Sequence, residues 1–209
     1  MKIRRILKTY INGYIPNEYW EERGKKYKTE FVSNDFYERQ EEKLLNYLKT
    51  IEFETVLEVG CGFGRITKKV LSNFPVKKYI AIDLSDVQIE NAKKNCKDYN
   101  NIQFKNSTIQ NLKIDDKFDL VLGVEVLLHV LPEEINKVIK KLASLSNDHI
   151  INIDFNSNYK PRIVLPHNFT HDYKKIYSDE PTIKEFIEIP IDEKHSIYHS
   201  QVLFEKIVS

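Results

Sequence analysis

Apolar residues are spaced in two alternating ways along this chain. Four short runs are rich in Val, Ile and Leu: Thr55-Val-Leu-Glu-Val59, Tyr79-Ile-Ala-Ile82, Phe118-Asp-Leu-Val-Leu122 and His149-Ile-Ile-Asn-Ile153. Runs of this length predict strands buried on both faces. Asn101-Ile-Gln-Phe104 predicts a weaker one. The segments between them are spaced for helices. After Gly64, Ile66, Val70, Leu71 and Phe74 share one face. Ser85-Asp-Val-Gln88 has the spacing of a capping box, predicting a helix from there to about Cys96. Pro132-Glu-Glu134 predicts a first helical turn, followed by a stripe of Ile135, Val138, Ile139, Leu142 and Leu145. Strand alternating with helix predicts a mostly parallel sheet covered on both faces. The end of the chain breaks the pattern. Ile183–Ile189 and Gln201–Ile207 have no crossover helix between them and predict an antiparallel hairpin on a long connection. Residues 1–50 predict helical decoration, with Leu44, Leu45 and Leu48 packing its last helix on the sheet.

Composition bounds this picture. A length of 209 residues suits one domain better than two. Lys+Arg is 32 against Asp+Glu 31, a net charge of +1, which removes the electrostatic case for a general nucleic-acid surface. A hydrophobic content of 41% supports a packed core. No apolar run approaches the length that spans a bilayer. Cys61 and Cys96 are too few for a disulfide framework or a structural zinc site, so a reducing cytoplasm is the expected location. Met1–Lys8 is basic but lacks the apolar core and cleavage site of a signal peptide.

The sharpest local signal is Val56-Leu-Glu-Val-Gly-Cys-Gly-Phe-Gly-Arg65, a strand that ends in glycines and runs into a helix. Glycine permits a tight turn at positive φ and lets a ligand approach the main chain. A helix N-terminus adds free N–H groups and a dipole that favours an anionic group. The turn therefore predicts a ligand cradle at the carboxyl end of the first strand. A dinucleotide fingerprint requires a glycine where Arg65 stands, and the Gly-Lys-Ser/Thr of a phosphate-binding loop is absent.

The spacing Glu58-x-Gly60-x-Gly62-x-Gly64 resembles motif I of the class I S-adenosylmethionine-dependent methyltransferases. Two later segments extend the resemblance. Ala81-Ile-Asp83-Leu84-Ser85 ends the second strand in an acid, and Phe118-Asp-Leu-Val-Leu-Gly-Val-Glu-Val-Leu-Leu-His-Val-Leu-Pro132 is similar to the family's motif IV and the helix beyond it. The resemblance covers roughly residues 40–155. It implies a Rossmann-like sheet of seven strands in the order 3-2-1-4-5-7-6, with helices on both faces and S-adenosyl-L-methionine as cofactor. It implies that Asp83 accepts from the ribose hydroxyls and that Leu84 packs on adenine. Gly60, Cys61, Gly62, Gly64 and Gly123 join the expected cofactor set, with Glu58 orienting the loop or the ligand's ammonium group. The family's usual Asp after the third strand is missing. Ser107 and Thr108 stand there instead and offer a weaker acceptor to the adenine amino group. The usual Pro-Gly-Gly turn before the fifth strand is Ser144-Leu-Ser-Asn-Asp148.

Two short segments are expected to choose the methyl acceptor. One is Tyr19-Trp-Glu-Glu-Arg-Gly-Lys-Lys-Tyr27, in a helical cover over residues 1–50. Its Tyr19, Trp20, Arg23 and Tyr27 are candidates for a carboxylate contact or a pocket wall, and Arg23 suits a carboxylate by its forked geometry. The other is His167-Asn-Phe-Thr-His171-Asp172-Tyr173, within an acceptor-side insert at about residues 157–181 of the core that runs from 51 to 209. His167, His171 and Asp172, with His129, are the candidate catalytic groups, because imidazole titrates near neutral pH and can take a proton from a nucleophile. His167/His171 and His195/His199 have i,i+4 spacing, but no third ligand is placed, so no metal is expected. The expected activity is O- or N-methylation of a small molecule or metabolite-like group, with no membrane partner and the oligomeric state left open. The alternatives are methylation of a protein or RNA side group, or a non-catalytic cofactor-binding subunit.

Overall fold

The computed structural model describes residues 13–155, 165–191 and 201–208, the last as main chain alone. The first five strands are β1 (Thr55–Val59), β2 (Lys78–Asp83), β3 (Ile102–Asn106), β4 (Phe118–Val124) and β5 (Ser146–Phe155). Then come β6 (Ile183–Pro190) and β7 (Gln201–Val208). The helices are α1 (Pro16–Glu30), α2 (Asp35–Leu48), α3 (Arg65–Asn73), α4 (Asp86–Asn95), α5 (Ile135–Leu145) and α6 (Tyr173–Ser178). The fold is Rossmann-like α/β. The sheet order is β3-β2-β1-β4-β5-β7-β6. Pairings within the first five strands are parallel, whereas β7 runs antiparallel to both β5 and β6. The basic segment Met1–Lys8 and the pair His195/His199 lie outside the described residues.

Alternate residues of each central strand go to opposite faces. Leu57, Val59, Ile80, Ile82, Val121 and Ile150 pack under α5 and α6. Val56, Tyr79, Ala81, Leu120, Leu122 and Ile151 pack under α2, α3 and α4. Leu44 and Leu48 seat α2 on that second face, while Leu45 is only partly buried. Arg65 ties α3 to α2, with its guanidinium 2.8 Å from both Glu41 Oε1 and Gln40 Oε1. Among the described residues no helix is long and apolar enough to cross a membrane.

Two helix starts differ from the sequence pattern. Ser85 does precede α4, but its hydroxyl makes no cap bond. Its Oγ turns instead toward α1, where a Cβ on Gly24 would lie 2.2 Å away. The tight seating of α1 on α4 outweighs the local cap. Pro132-Glu-Glu134 forms turns, and α5 begins three residues after Pro132, at Ile135.

Candidate active site

The carboxyl ends of β1, β2 and β4 open into a cavity of about 690 Å³. That lies in the range of small-molecule and cofactor pockets. Its floor is the turn after β1. Gly60, Gly62 and Gly64 sit at φ +67°, +55° and +80°. Cys61 N–H donates to the Ile82 carbonyl (2.9 Å), and Gly64 N–H to the Cys61 carbonyl (2.9 Å). A Cβ on Gly60 would come 2.5 Å from Val126 Cγ2, so the turn and the β4 end approach each other closely there. Asp83 closes one side. Its carboxylate accepts from Gly62 N–H and Ser85 N–H, each at 2.9 Å. Burial pushes its pKa up while these N–H groups hold it down.

Glu58 runs beneath the turn. Its Oε2 accepts from Thr67 Oγ1 (2.5 Å) and Tyr79 Oη (2.8 Å). Burial pushes its pKa up to about 7 against those two bonds. The carboxyl therefore knits β1, β2 and α3 together and props the glycine turn. Burial also pushes the Cys61 thiol up, which makes it a poor nucleophile.

Ser107, Thr108 and Ile109 form the wall beyond β3. The Ser107 hydroxyl donates to the Thr108 carbonyl (2.9 Å), and Thr108 Oγ1 accepts from Asn111 N–H (3.2 Å). Leu84 lies between this wall and Asp83 on the cavity surface.

The other half of the cavity is walled by side chains. Tyr14, Tyr19, Trp20, Arg23 and Tyr27 enter from α1 and the residues before it, facing Phe63, His129, Phe155 and His167. Tyr19 stacks on His167 (4.4 Å between centroids) and their Oη and Nε2 are hydrogen-bonded at 3.1 Å. Trp20 lies 4.5 Å from the His129 ring, and its indole N–H donates to Tyr14 Oη (2.8 Å). Arg23 pairs with Glu30 at 2.7 Å and covers the Tyr27 ring at 4.6 Å.

His129 has a defined tautomer. Its Nδ1 lies 2.7 Å from the His167 carbonyl oxygen, which only accepts, so Nδ1 carries the proton. Burial pushes its pKa down to about 3, so the ring is neutral at physiological pH and Nε2 keeps its lone pair.

Four predicted residues stand off the cavity wall. His171 Nε2 bonds the Leu127 carbonyl (3.0 Å) within the core. Asp172 caps α6 by accepting from Lys175 N–H (3.1 Å). Gly64 starts α3, where a Cβ would meet Ala92 Cα at 3.2 Å. Gly123 is a buried β4 residue beside the Val59 carbonyl. His171 and Asp172 thus act as supports for neighbouring backbone, and Gly64 lets α3 approach α4 closely.

Other wall residues carried no sequence signal. Glu125 lines the cavity at φ +58°, the one non-glycine in the left-handed region among the described residues. Nothing in Val124-Glu-Val126 marks a turn, so the sequence hides it. Three wall residues hold buried oxygens without a hydrogen-bond partner: Ser85 Oγ, Gln88 Oε1 and Asn168 Oδ1. A bound ligand with N–H or O–H donors would satisfy them.

A parallel sheet with this glycine turn at its first strand, an acid at its second and a deep cavity across both is the arrangement that the resemblance to the class I S-adenosylmethionine-dependent methyltransferases implies. Comparison with known proteins agrees. Residues 56–149 match the family model described as a methyltransferase domain. The chain is 34% identical over 105 residues, half of its length, to the putative methyltransferase 235L of Invertebrate iridescent virus 6. It is 36% identical over 68 residues, 32% of its length, to malonyl-[acyl-carrier protein] O-methyltransferase 1 of Ilyobacter polytropus. It spans 37% and 25% of those two relatives. Its fold is similar to that of magnesium protoporphyrin IX methyltransferase from Synechocystis with bound S-adenosylmethionine. The TM-score is 0.69 at 16% identity, covering 94% of this chain and 99% of that one.

Proposed function

We propose that this protein methylates a small molecule or metabolite-like group, at oxygen or nitrogen, using S-adenosylmethionine. The observation that carries the reading is one continuous cavity with two differently built halves. One half is a main-chain cradle with Asp83; the other is an aromatic wall around a neutral imidazole.

The cradle fits the cofactor. Gly60, Gly62, Asp83, Leu84, Ser107 and Thr108 would hold it, and the buried oxygens of Ser85 and Gln88 offer it acceptors. When bound there, S-adenosylmethionine supplies a methyl group on an already activated sulfonium. The chain's own residues then have modest tasks: align the acceptor atom and exclude water. Of the helices within residues 1–50, α1 serves as the cover, with Tyr19, Trp20 and Tyr27 as its inner surface, while α2 packs on the sheet. His129 is the group best placed to orient the acceptor: its Nδ1–H is held by the His167 carbonyl, and burial keeps Nε2 unprotonated, a hydrogen-bond acceptor and only a weak base. His167 supports it from behind and is itself stacked on Tyr19. Screening metabolite pools for methyl transfer with labelled cofactor tests this reading. A labelled small product supports it, and transfer only to protein or RNA contradicts it.

A further inference from the structure

Below the aromatic wall lies a buried polar network that the proposed chemistry does not use. Asp154, near the end of β5, is fully buried. Its Oδ1 accepts from Leu128 N–H (3.0 Å), and its Oδ2 from Asn152 Nδ2 (3.1 Å). The Val126 main chain also bonds this carboxyl. Asn152 Oδ1 in turn accepts from Tyr177 Oη (2.5 Å), which anchors the network to α6. The carboxyl thus grips the turn Leu127–His129 from beneath. The same turn is held from the other side: His171 Nε2 bonds the Leu127 carbonyl (3.0 Å), and Phe169 N–H donates to the Leu128 carbonyl (2.7 Å).

We infer that Asp154 is a positioning residue for His129, acting through the Leu127–His129 turn to fix where the imidazole meets the acceptor. The inference rests on the proposed role of His129. The alternative role, plain core stability, is a poor match for the chemistry. A buried carboxylic acid is a costly way to fill space, and apolar side chains already pack this layer. What a carboxyl offers is two oxygens that accept in different directions, one to the turn and one to Asn152. Asparagine has the same shape but only one accepting oxygen. In an Asp154→Asn protein the new amide N–H₂ either faces the turn's N–H, donor against donor, or forces Asn152 to flip and turn Tyr177 Oη into an acceptor, so the network that holds the turn is rearranged.

The test reads the imidazole itself and needs no acceptor. Long-range ¹H–¹⁵N spectra of the histidine rings are recorded for wild type, Asp154→Asn and Tyr177→Phe. The Tyr177→Phe change removes only the hydroxyl that anchors Asn152, so it carries the test if Asp154→Asn fails to fold. In wild type the His129 signals are those of a ring protonated at Nδ1. In the variants they shift toward mixed tautomers, and hydrogen-exchange protection of the Leu128 amide falls at least tenfold. The affinity for S-adenosylhomocysteine stays within about twofold. Unchanged His129 signals and Leu128 protection in folded variants would overturn the inference. So would loss of cofactor affinity in parallel, because the network would then shape the cradle. Failure of wild type to bind S-adenosylhomocysteine would count against the proposed function instead, and leaves the reading of the turn to the spectra.

Discussion

The two halves of the cavity are built by different means. The cradle half is mostly main chain: glycines at positive φ, N–H groups and one acid, contributed by strand ends that neighbour each other in a parallel sheet. The aromatic half is almost wholly side chain. It is assembled from α1, the turn after β4 and the segment from Leu165, with Tyr19 and His167 in contact across 148 positions. Glycine turns bind what is common to many reactions, because backbone geometry changes little. Side chains docked from distant segments can change one at a time, so they are where acceptor choice is expected to reside.

That contrast is open to attack on each side. The largest effect should fall on the aromatic half. His129→Gln removes the imidazole that orients the acceptor and should lower turnover roughly 100-fold, with S-adenosylhomocysteine affinity unchanged by calorimetry. A parallel loss of cofactor affinity would erase the distinction between the halves. Next, Asp83→Ala should weaken cofactor binding by about 2–3 kcal/mol, roughly 30- to 150-fold. It removes the expected ribose contact and strands the Gly62 and Ser85 N–H groups. Turnover at saturating cofactor should change much less.

The sequence made the first half far more legible than the second. Glycine spacing, the buried strands and Asp83 are local signals, since each residue's role follows from its immediate neighbours in the chain. His171 and Asp172 were equally conspicuous as residue types, yet their partners are the Leu127 carbonyl and the Lys175 N–H. No local pattern distinguishes a histidine that faces a cavity from one that holds a backbone carbonyl. Glu125 was hidden for the opposite reason, because its backbone conformation is imposed by tertiary packing and not by its own preference. Ser85 shows the same override: the seating of Gly24 took its hydroxyl away from the cap.

Glu58 sharpens the account of the cradle through pH. Its folded pKa of about 7 lies above the ordinary value of 4.5. The folded state therefore holds this proton where the unfolded state has lost it. Its contribution to stability is complete below about pH 4.5 and is lost as pH rises toward 7. Glu58→Gln keeps an acceptor for Thr67 and Tyr79 but cannot ionise. Its unfolding free energy, followed by denaturant titration, should fall less between pH 4.5 and 7 than that of wild type. An identical slope would mean the carboxyl is not held as described. The smallest effect concerns α4. A working N-cap costs about 1 kcal/mol to remove. Since the Ser85 hydroxyl does not cap, Ser85→Ala should leave the melting temperature nearly unchanged.

The central claim is that the Gly60–Gly64 turn and Asp83 hold S-adenosylmethionine. Calorimetric titration of folded wild-type protein with S-adenosylhomocysteine, beside NAD, tests it most directly. Saturable one-site binding of S-adenosylhomocysteine, abolished or greatly weakened in Asp83→Ala and absent with NAD, is the predicted result. Folded protein that binds NAD, or that gives no heat with S-adenosylhomocysteine, would contradict it.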